Sequence, residues 1–228
     1  MQTFITSDLH LGIEQSRVDA FLAFLDTLPA GAQLVLNGDI ITHYYSDRTL
    51  SPEHSRVVDR LRHASYEREV IWVRGNNDKH LQLQDPGNIK FVASYTLGKR
   101  LYIAHGHRFD WLMPTTRAML IPMRLIYEAI ARLFGSRMHV AEFAKRFSGV
   151  YGVLCRHVAG NAARYARKHG YEAVTCGHTH CAEDRNIGGI RYLNTGCWTE
   201  NEAMCVVVDE QGIRICDVGC ISHGADTP

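Results

Sequence analysis

The sequence predicts an α/β sandwich, on three observations. Short β-branched runs recur along the chain, each flanked by Gly, Asn or Asp. Helical patterns separate the early runs. The C-terminal part is rich in strands.

The runs have the length of buried strands. They are residues 3–6, 33–37, 70–73, 101–104 and 173–176, followed by 190–193, 204–208 and 213–216. The last three read as antiparallel strands joined by Gly-containing turns, and Gln211-Gly212 suits one hairpin. Between the early strands, Ser16 is placed to cap a helix with Val18, Phe21, Leu22, Leu25 and Leu28 on its apolar face. Ser51-Pro52 opens a second helix carrying Val57, Val58 and Leu61, since Pro suits a first helical turn.

The stretch from about Leu112 to His169 breaks this rhythm. It lacks a strand signal and reads as two or more helices inserted between strand–loop units. Between Thr116 and Phe134 the charged residues are Arg117, Arg124, Glu128 and Arg132. Their spacings of seven, four and four put them on one narrow face of an otherwise apolar helix, which Pro122 breaks or kinks. A second stretch carries Lys145, Arg146, Arg156, Arg164, Arg167 and Lys168. A cationic amphipathic helix suits an anionic membrane surface. A wide apolar face equally suits packing on the domain or on a second copy, and the arginines suit a diphosphate. These alternatives stand together.

The 228 residues suffice for one globular domain with a sizeable core. With 46% hydrophobic and 21% charged residues, the chain has the profile of a soluble folded protein. A net charge of +1 gives no global pull toward nucleic acid, so none is expected as a partner, and recognition must be local. Seven cysteines form no C-x-x-C pair, which argues for reduced buried thiols in a cytoplasmic protein. The opening MQTFITSDLHLG reads as a strand entering a loop rather than a secretory signal, and no apolar run is long enough to span a membrane. No internal repeat is evident.

Chemistry concentrates in five short motifs, each just after a predicted strand. They are Asp8-Leu9-His10, Gly38-Asp39, Gly75-Asn76-Asn77-Asp78, His105-Gly106-His107 and Gly177-His178-Thr179-His180. Ligands in open α/β sheets bind beyond the carboxyl ends of the strands, so five such loops would converge. Two divalent ions about 3.5–4 Å apart need a bridging ligand, which a carboxylate supplies. Imidazole with carboxylate suits Mn, Fe, Zn or Co better than Ca or Mg. On extended backbone, D-x-H and H-x-H would put both ligands on one side. The four motif glycines would let the backbone turn tightly beside the ions.

These motifs, in this order from residue 8 to residue 180, resemble those of the calcineurin-like metallophosphoesterases. The resemblance implies a four-layer sandwich of two mixed β-sheets flanked by helices, spanning residues 1–228 with a helical lid at about 112–169. It implies two divalent ions, Mn²⁺ first, with Fe, Zn or Co as alternatives. Asp8, His10, Asp39 and His180 would hold one ion, and Asp39, Asn76, His105 and His178 the other, with Asp39 bridging. A shared water or hydroxide would be the nucleophile. Asp39, Asn76 and His105 would be the catalytic core, with His107 beside them and Asp78 holding a ligand or its loop in place.

Two positions depart from the family pattern. Many relatives have a leaving-group acid, His, where this chain has Asn77. A phosphoanhydride needs that acid least, because its leaving group departs as an anion. Many relatives also have Asp where this chain has His107, which would either support a ligand or take over proton transfer. His43 is a further candidate to face the substrate. His54, His63, His80, His139, His157, His169 and His223 read as surface or packing residues.

Within the superfamily the chain is most similar to the UDP-2,3-diacylglucosamine hydrolases of lipid A synthesis and their paralogues. SDLHLG, the non-His residue in G-N-x-D and the helical insertion carry this. Residues Ile40-Ile41-Thr42-His43 match less well, and Asn194-Thr195-Gly196-Cys197-Trp198-Thr199-Glu200 resembles a broader bacterial set. The resemblance implies a phosphoanhydride hydrolase acting on a nucleotide–lipid at the cytoplasmic face of the inner membrane, peripherally bound, with oligomer formation open. The runners-up are a phosphodiesterase or phosphatase of another small phosphorylated substrate, and a non-catalytic scaffold.

Overall fold

The computed structural model describes residues 2–42, 45–112, 148–200 and 203–221. They form two mixed sheets packed face to face and covered by helices. The first sheet has the order β11-β10-β1-β2-β3-β4. Its strands are β1 (Thr3–Thr6), β2 (Gln33–Asn37), β3 (Val70–Val73), β4 (Lys90–Val92), β10 (Met204–Val208) and β11 (Ile213–Asp217). The second has the order β5-β6-β7-β9-β8. It is built of β5 (Tyr95–Leu97), β6 (Leu101–Ile103), β7 (Ala173–Cys176), β8 (Glu183–Ile187) and β9 (Ile190–Asn194).

Strand alternation sorts the apolar residues into three layers of core. Ile5, Val35, Ile71 and Val206 point inward from the first sheet, where they meet Leu101, Ile103, Ala173 and Leu193 from the second. Phe4, Leu34, Leu36 and Trp72 point outward, under helices α1 (Val18–Thr27) and α2 (Pro52–Glu67). Tyr102, Val174, Cys176 and Tyr192 point out of the second sheet, under helix α3 (Ser148–Lys168).

The start of α1 differs from the sequence expectation. Its N-cap position is Arg17 and no side chain caps it. Ser16 instead lies in a turn, its N–H bonded to Ile13 O, while Arg17 N donates to Trp198 O at 3.1 Å and so sets where the helix begins. The buried face also includes Phe24, and Leu22 is only partly covered. The α2 expectation holds: Ser51 accepts from His54 N and Pro52 fills the first turn. His54 Nδ1 in turn accepts from Gly12 N at 2.7 Å, which is a packing role.

Of the helical insertion expected at about 112–169, the described part from residue 148 onward contains the helix Ser148–Lys168. This helix is the crossover between β6 and β7, which pair in parallel and so need a connection that returns over the sheet. Val158, Ala159, Ala162, Ala163 and Ala166 are fully buried against the second sheet. Small residues at this spacing let the helix axis approach closely. The basic residues Arg156, Arg164, Arg167 and Lys168 lie on the opposite, exposed side. The apolar stretch 116–134, Lys145, Arg146 and His43 lie outside the described residues, as do His139 and His223. Among the described residues no helix is long and apolar enough to cross a membrane.

Shortening Leu61, fully buried on the inner face of α2, to Ala should lower the unfolding free energy by roughly 2–5 kcal/mol with an unchanged denaturant slope. Arg56→Ala removes an exposed ion pair with Asp19 and should change it by less than about 0.5 kcal/mol. Urea titrations of both variants check the contrast.

Candidate metal centre

The parallel pairing of β1 and β2 continues past the strand ends. Asp8 N donates to Gly38 O and His10 N to Asp39 O, each at 3.0 Å, so the two loops leave the sheet as a pair. In the second sheet, parallel β6 and β7 deliver His105 and the 177–180 loop to the same end. The centre therefore sits across the junction of the two sheets.

The backbone there is not extended. Asp8, His10, Asp39, His178 and His180 all have φ between 53° and 74°, and among the described residues they are the only non-glycines at positive φ. Asp8, His10, His178 and His180 are thus left-handed rather than extended, so strand alternation does not describe the D-x-H and H-x-H pairs. Such a conformation costs an L-residue on the order of 1–2 kcal/mol and concentrates at functional sites. The motif glycines act largely through close approach. A Cβ on Gly177 would overlap the Asp8 carboxylate and Ser7, and one on Gly75 would overlap Asp39.

Asp8, His10 and His180 form one buried group. Asp8 Oδ1 is 3.3 Å from His180 Nε2 and 3.7 Å from His10 Nε2, and the two Nε2 atoms are 3.0 Å apart. Asp8, Asp39 and His105 form another. In each group the donor atoms all lie within 4.8 Å of one another. Asp8 is common to both groups, whereas the sequence reading gives the shared place to Asp39.

Burial opposes the charged form of Asp8, but the imidazoles of His105, His10 and His180 outweigh it and hold the carboxyl well below its usual range. Asp39 is likewise held low, against burial, chiefly by His105. Burial disfavours the imidazolium of His105, yet Asp39 and Asp8 push it up to about 9.

The buried Oδ1 of Asn76 and Nε2 of His105 have no hydrogen-bond partner among the described residues. Buried polar atoms normally find partners, so the Asn76 oxygen, with His105 Nε2 only 3.5 Å from Asp39 Oδ2, fits a site built for cations. His178 is only partly gathered in. Its ring centroid is 5.4 Å from that of His105, but its Nε2 lies 2.9 Å from Asp110 Oδ2. Its backbone N donates to both carboxylate oxygens of Asp8, at 3.2 and 3.0 Å.

His107 packs at 5.2 Å from the His105 ring, and burial together with His105 and His178 pushes it down to about 3. Asn77 donates from both its backbone N and its side-chain amide to Asp39, clamping that carboxylate. Asp78 touches none of the ligating atoms. It accepts from Ile40 N and Trp72 Nε1 at 2.9 Å and from Gly75 N at 2.6 Å, tying the β2 loop to the β3 loop. It is a positioning residue.

Several supports were not anticipated from the sequence. Asp110 orients His178 and lies five residues after His105 without a motif to mark it. Ser7 bonds both Asp8 and Thr195, the latter at 2.7 Å. Asn194 Nδ2 holds Gly177 O at 3.1 Å, and Trp198 N donates to Asp8 O at 3.0 Å. The 194–198 segment had been noted as a motif, and its role is to brace these loops.

A family model described as the calcineurin-like phosphoesterase superfamily domain matches residues 1–211. Over 80 residues the chain is 35% identical to UDP-2,3-diacylglucosamine hydrolase of Shewanella pealeana. That stretch is 34% of each protein, so the chain spans about a third of the length of the curated relative it matches. Among solved structures, a phosphoesterase of E. coli, Yfce, aligns with TM-score 0.49 and 18% identity over 97% of this chain and 96% of that one. A Vps29 mutant of Entamoeba histolytica aligns with TM-score 0.46 and 14% identity over 95% of this chain and 97% of that one.

Asp78→Asn turns an acceptor into a donor facing N–H groups. It should cost roughly 1–3 kcal/mol of stability and about 10–100-fold in metal affinity, read by thermal melts and metal titration. Apparent metal affinity should also rise with pH and level off near 9, because a metal must displace the proton that the carboxylates hold on His105. Calorimetric titrations across that range, in buffers of different ionisation enthalpy, check the proton release.

Proposed function

This chain belongs to the calcineurin-like phosphoesterase superfamily, and from that footing we propose that it hydrolyses the phosphoanhydride of a nucleotide–lipid diphosphate, UDP-2,3-diacylglucosamine in first place. It is a hydrolase of the metallophosphoesterase class. The observation that carries the reading is the meeting of Asp8, His10 and His180 with Asp39 and His105 in one buried, left-handed set of loops.

In this proposal Asp8, His10, Asp39, Asn76, His105, His178 and His180 hold two divalent ions, manganese by preference. When bound, such ions supply a hydroxide near neutral pH and neutralise phosphoryl charge. The chain's own residues fix the geometry. Asn77 locks Asp39, Asp78 joins two loops, Asp110 sets the His178 ring, and the left-handed backbone aims the ligands before any substrate arrives. Such prior ordering lowers the reorganisation needed in the transition state.

Asn77 also bears on the substrate. Both of its donors are spent on Asp39, and an amide cannot act as a general acid. From a diphosphate the leaving group is a phosphate monoester, which departs as a stable anion and needs no such help, whereas an alkyl alkoxide does. The local identity to a UDP-2,3-diacylglucosamine hydrolase supports the same substrate class. We read residues 1–228 as one domain acting peripherally at the cytoplasmic membrane face. Its inserted stretch would run from about residue 112 to the start of α3 and contact acyl chains. The runner-up, a phosphodiesterase or phosphatase of another small substrate, is favoured by the limited span of that identity and by the divergent residues 40–43.

Reconstitution with Mn²⁺ should give hydrolysis of UDP-2,3-diacylglucosamine to UMP and a lipid phosphate, abolished by chelator. Asp39→Ala should lower the rate at least about a thousandfold, equivalent to ~4 kcal/mol of transition-state stabilisation. Activated esters and diphosphates should turn over much faster than β-glycerophosphate. Equal rates would remove the leaving-group argument, and turnover of soluble esters without the lipid diphosphate would favour the runner-up.

A further inference from the structure

A second group of ligand-type side chains lies outside the proposed dinuclear centre. Cys155 on α3, Cys181 in the loop after β7 and Glu183 at the start of β8 bring two sulfurs and a carboxylate oxygen within 4.8 Å of one another. They line a cavity of about 510 Å³ that also takes in Tyr151, Arg156 and Cys197, with His180 in its wall. Tyr151, from the same helix, donates its hydroxyl to Thr179 O beside them. Arg185 Nη2 is 3.1 Å from Glu183 Oε2.

We propose that Cys155, Cys181 and Glu183 form a separate binding site for a thiophilic divalent cation of the zinc class. Two sulfurs and a carboxylate are a zinc-type donor set, chemically distinct from the imidazole, amide and carboxylate donors of the first centre. For Zn–S bonds of about 2.3 Å, tetrahedral geometry puts the two sulfurs about 3.8 Å apart, so small rotations of the thiol side chains suffice. The cation enters with loss of two thiol protons to solvent, leaving two thiolates and one carboxylate as ligands and a fourth position open to the cavity. Bound there, it would tie the crossover helix to the β7–β8 loop, directly beside His180. The site stands independently of the proposed catalytic reaction.

Titration of the reduced full-length protein with Co²⁺ tests this. Thiolate-to-Co²⁺ charge transfer absorbs in the near ultraviolet, and none of the seven residues proposed for the first centre is a cysteine, although Cys197 groups with His180 and Glu200 within 4.8 Å. The expected result is a charge-transfer band that saturates at one ion per chain and is displaced by Zn²⁺. It should vanish in Cys155→Ser and in Cys181→Ser, and persist in Cys216→Ser and in Asp39→Ala. Circular dichroism confirms folding of each variant, and the partly exposed Cys181 keeps the test available if Cys155→Ser is unstable. No band in the wild-type protein would overturn the proposal. So would a band that survives both serine replacements, which would place the thiolate at Cys197. Because Asp39→Ala removes the proposed catalytic carboxylate and leaves this site whole, failure of either reading shows without the other.

Discussion

Parallel pairing of β1 with β2, carried beyond the ends of the strands, places two carboxylates in one buried space. Asp8 and Asp39 each follow their strand by two residues, and the backbone bonds from Asp8 to Gly38 and from His10 to Asp39 keep the loops side by side. The loops after β1, β2 and β7 then turn through left-handed residues that are not glycine. That conformation persists only when its surroundings over-determine it. Here they do: Asn77 and Asp78 clamp the β2 and β3 loops, while Ser7, Asn194 and the Trp198 backbone brace the β1 and β7 loops.

Electrostatics follow from this placement. Burying two carboxylates close together would ordinarily neutralise one of them. Imidazoles from both sheets reverse the outcome for Asp8 and Asp39, while Asp78, whose carboxylate accepts from N–H donors, is pushed up by burial and by Asp39. These three acids therefore divide their roles by environment. Two face the histidines, and the third serves the architecture as an acceptor.

Much of this was legible in the sequence, for reasons visible residue by residue. Strands such as Gln33–Asn37 and Val70–Val73 are buried on both faces, so their apolar runs are continuous and their bounds clear. The edge strands β4, β5 and β8 lack that signal, whereas β11 at the other edge carries an apolar run. Glu183–Ile187 reads EDRNI and is polar, as edges that resist aggregation are, and Lys90–Val92 has only three residues. The five motifs announced the ligands, since their chemistry is written in residue type. Asp110 was invisible because its role depends on a ring that arrives from 68 residues away. The start of α1 was misplaced because a long-range bond, Arg17 to Trp198, overrode local capping preference.

The first strand lies inside its sheet, with β2 on one side and β10, some two hundred residues later, on the other. Asp8 is likewise braced by Thr195 through Ser7 and by the Trp198 backbone. Contacts of such sequence separation form late and slowly. During synthesis the first motif must therefore wait, one flank of its strand open, until the C-terminal strands have left the ribosome. The loop that carries Asp8 and His10 acquires its final shape only once β10 has docked, so this end of the sheets is set late in folding.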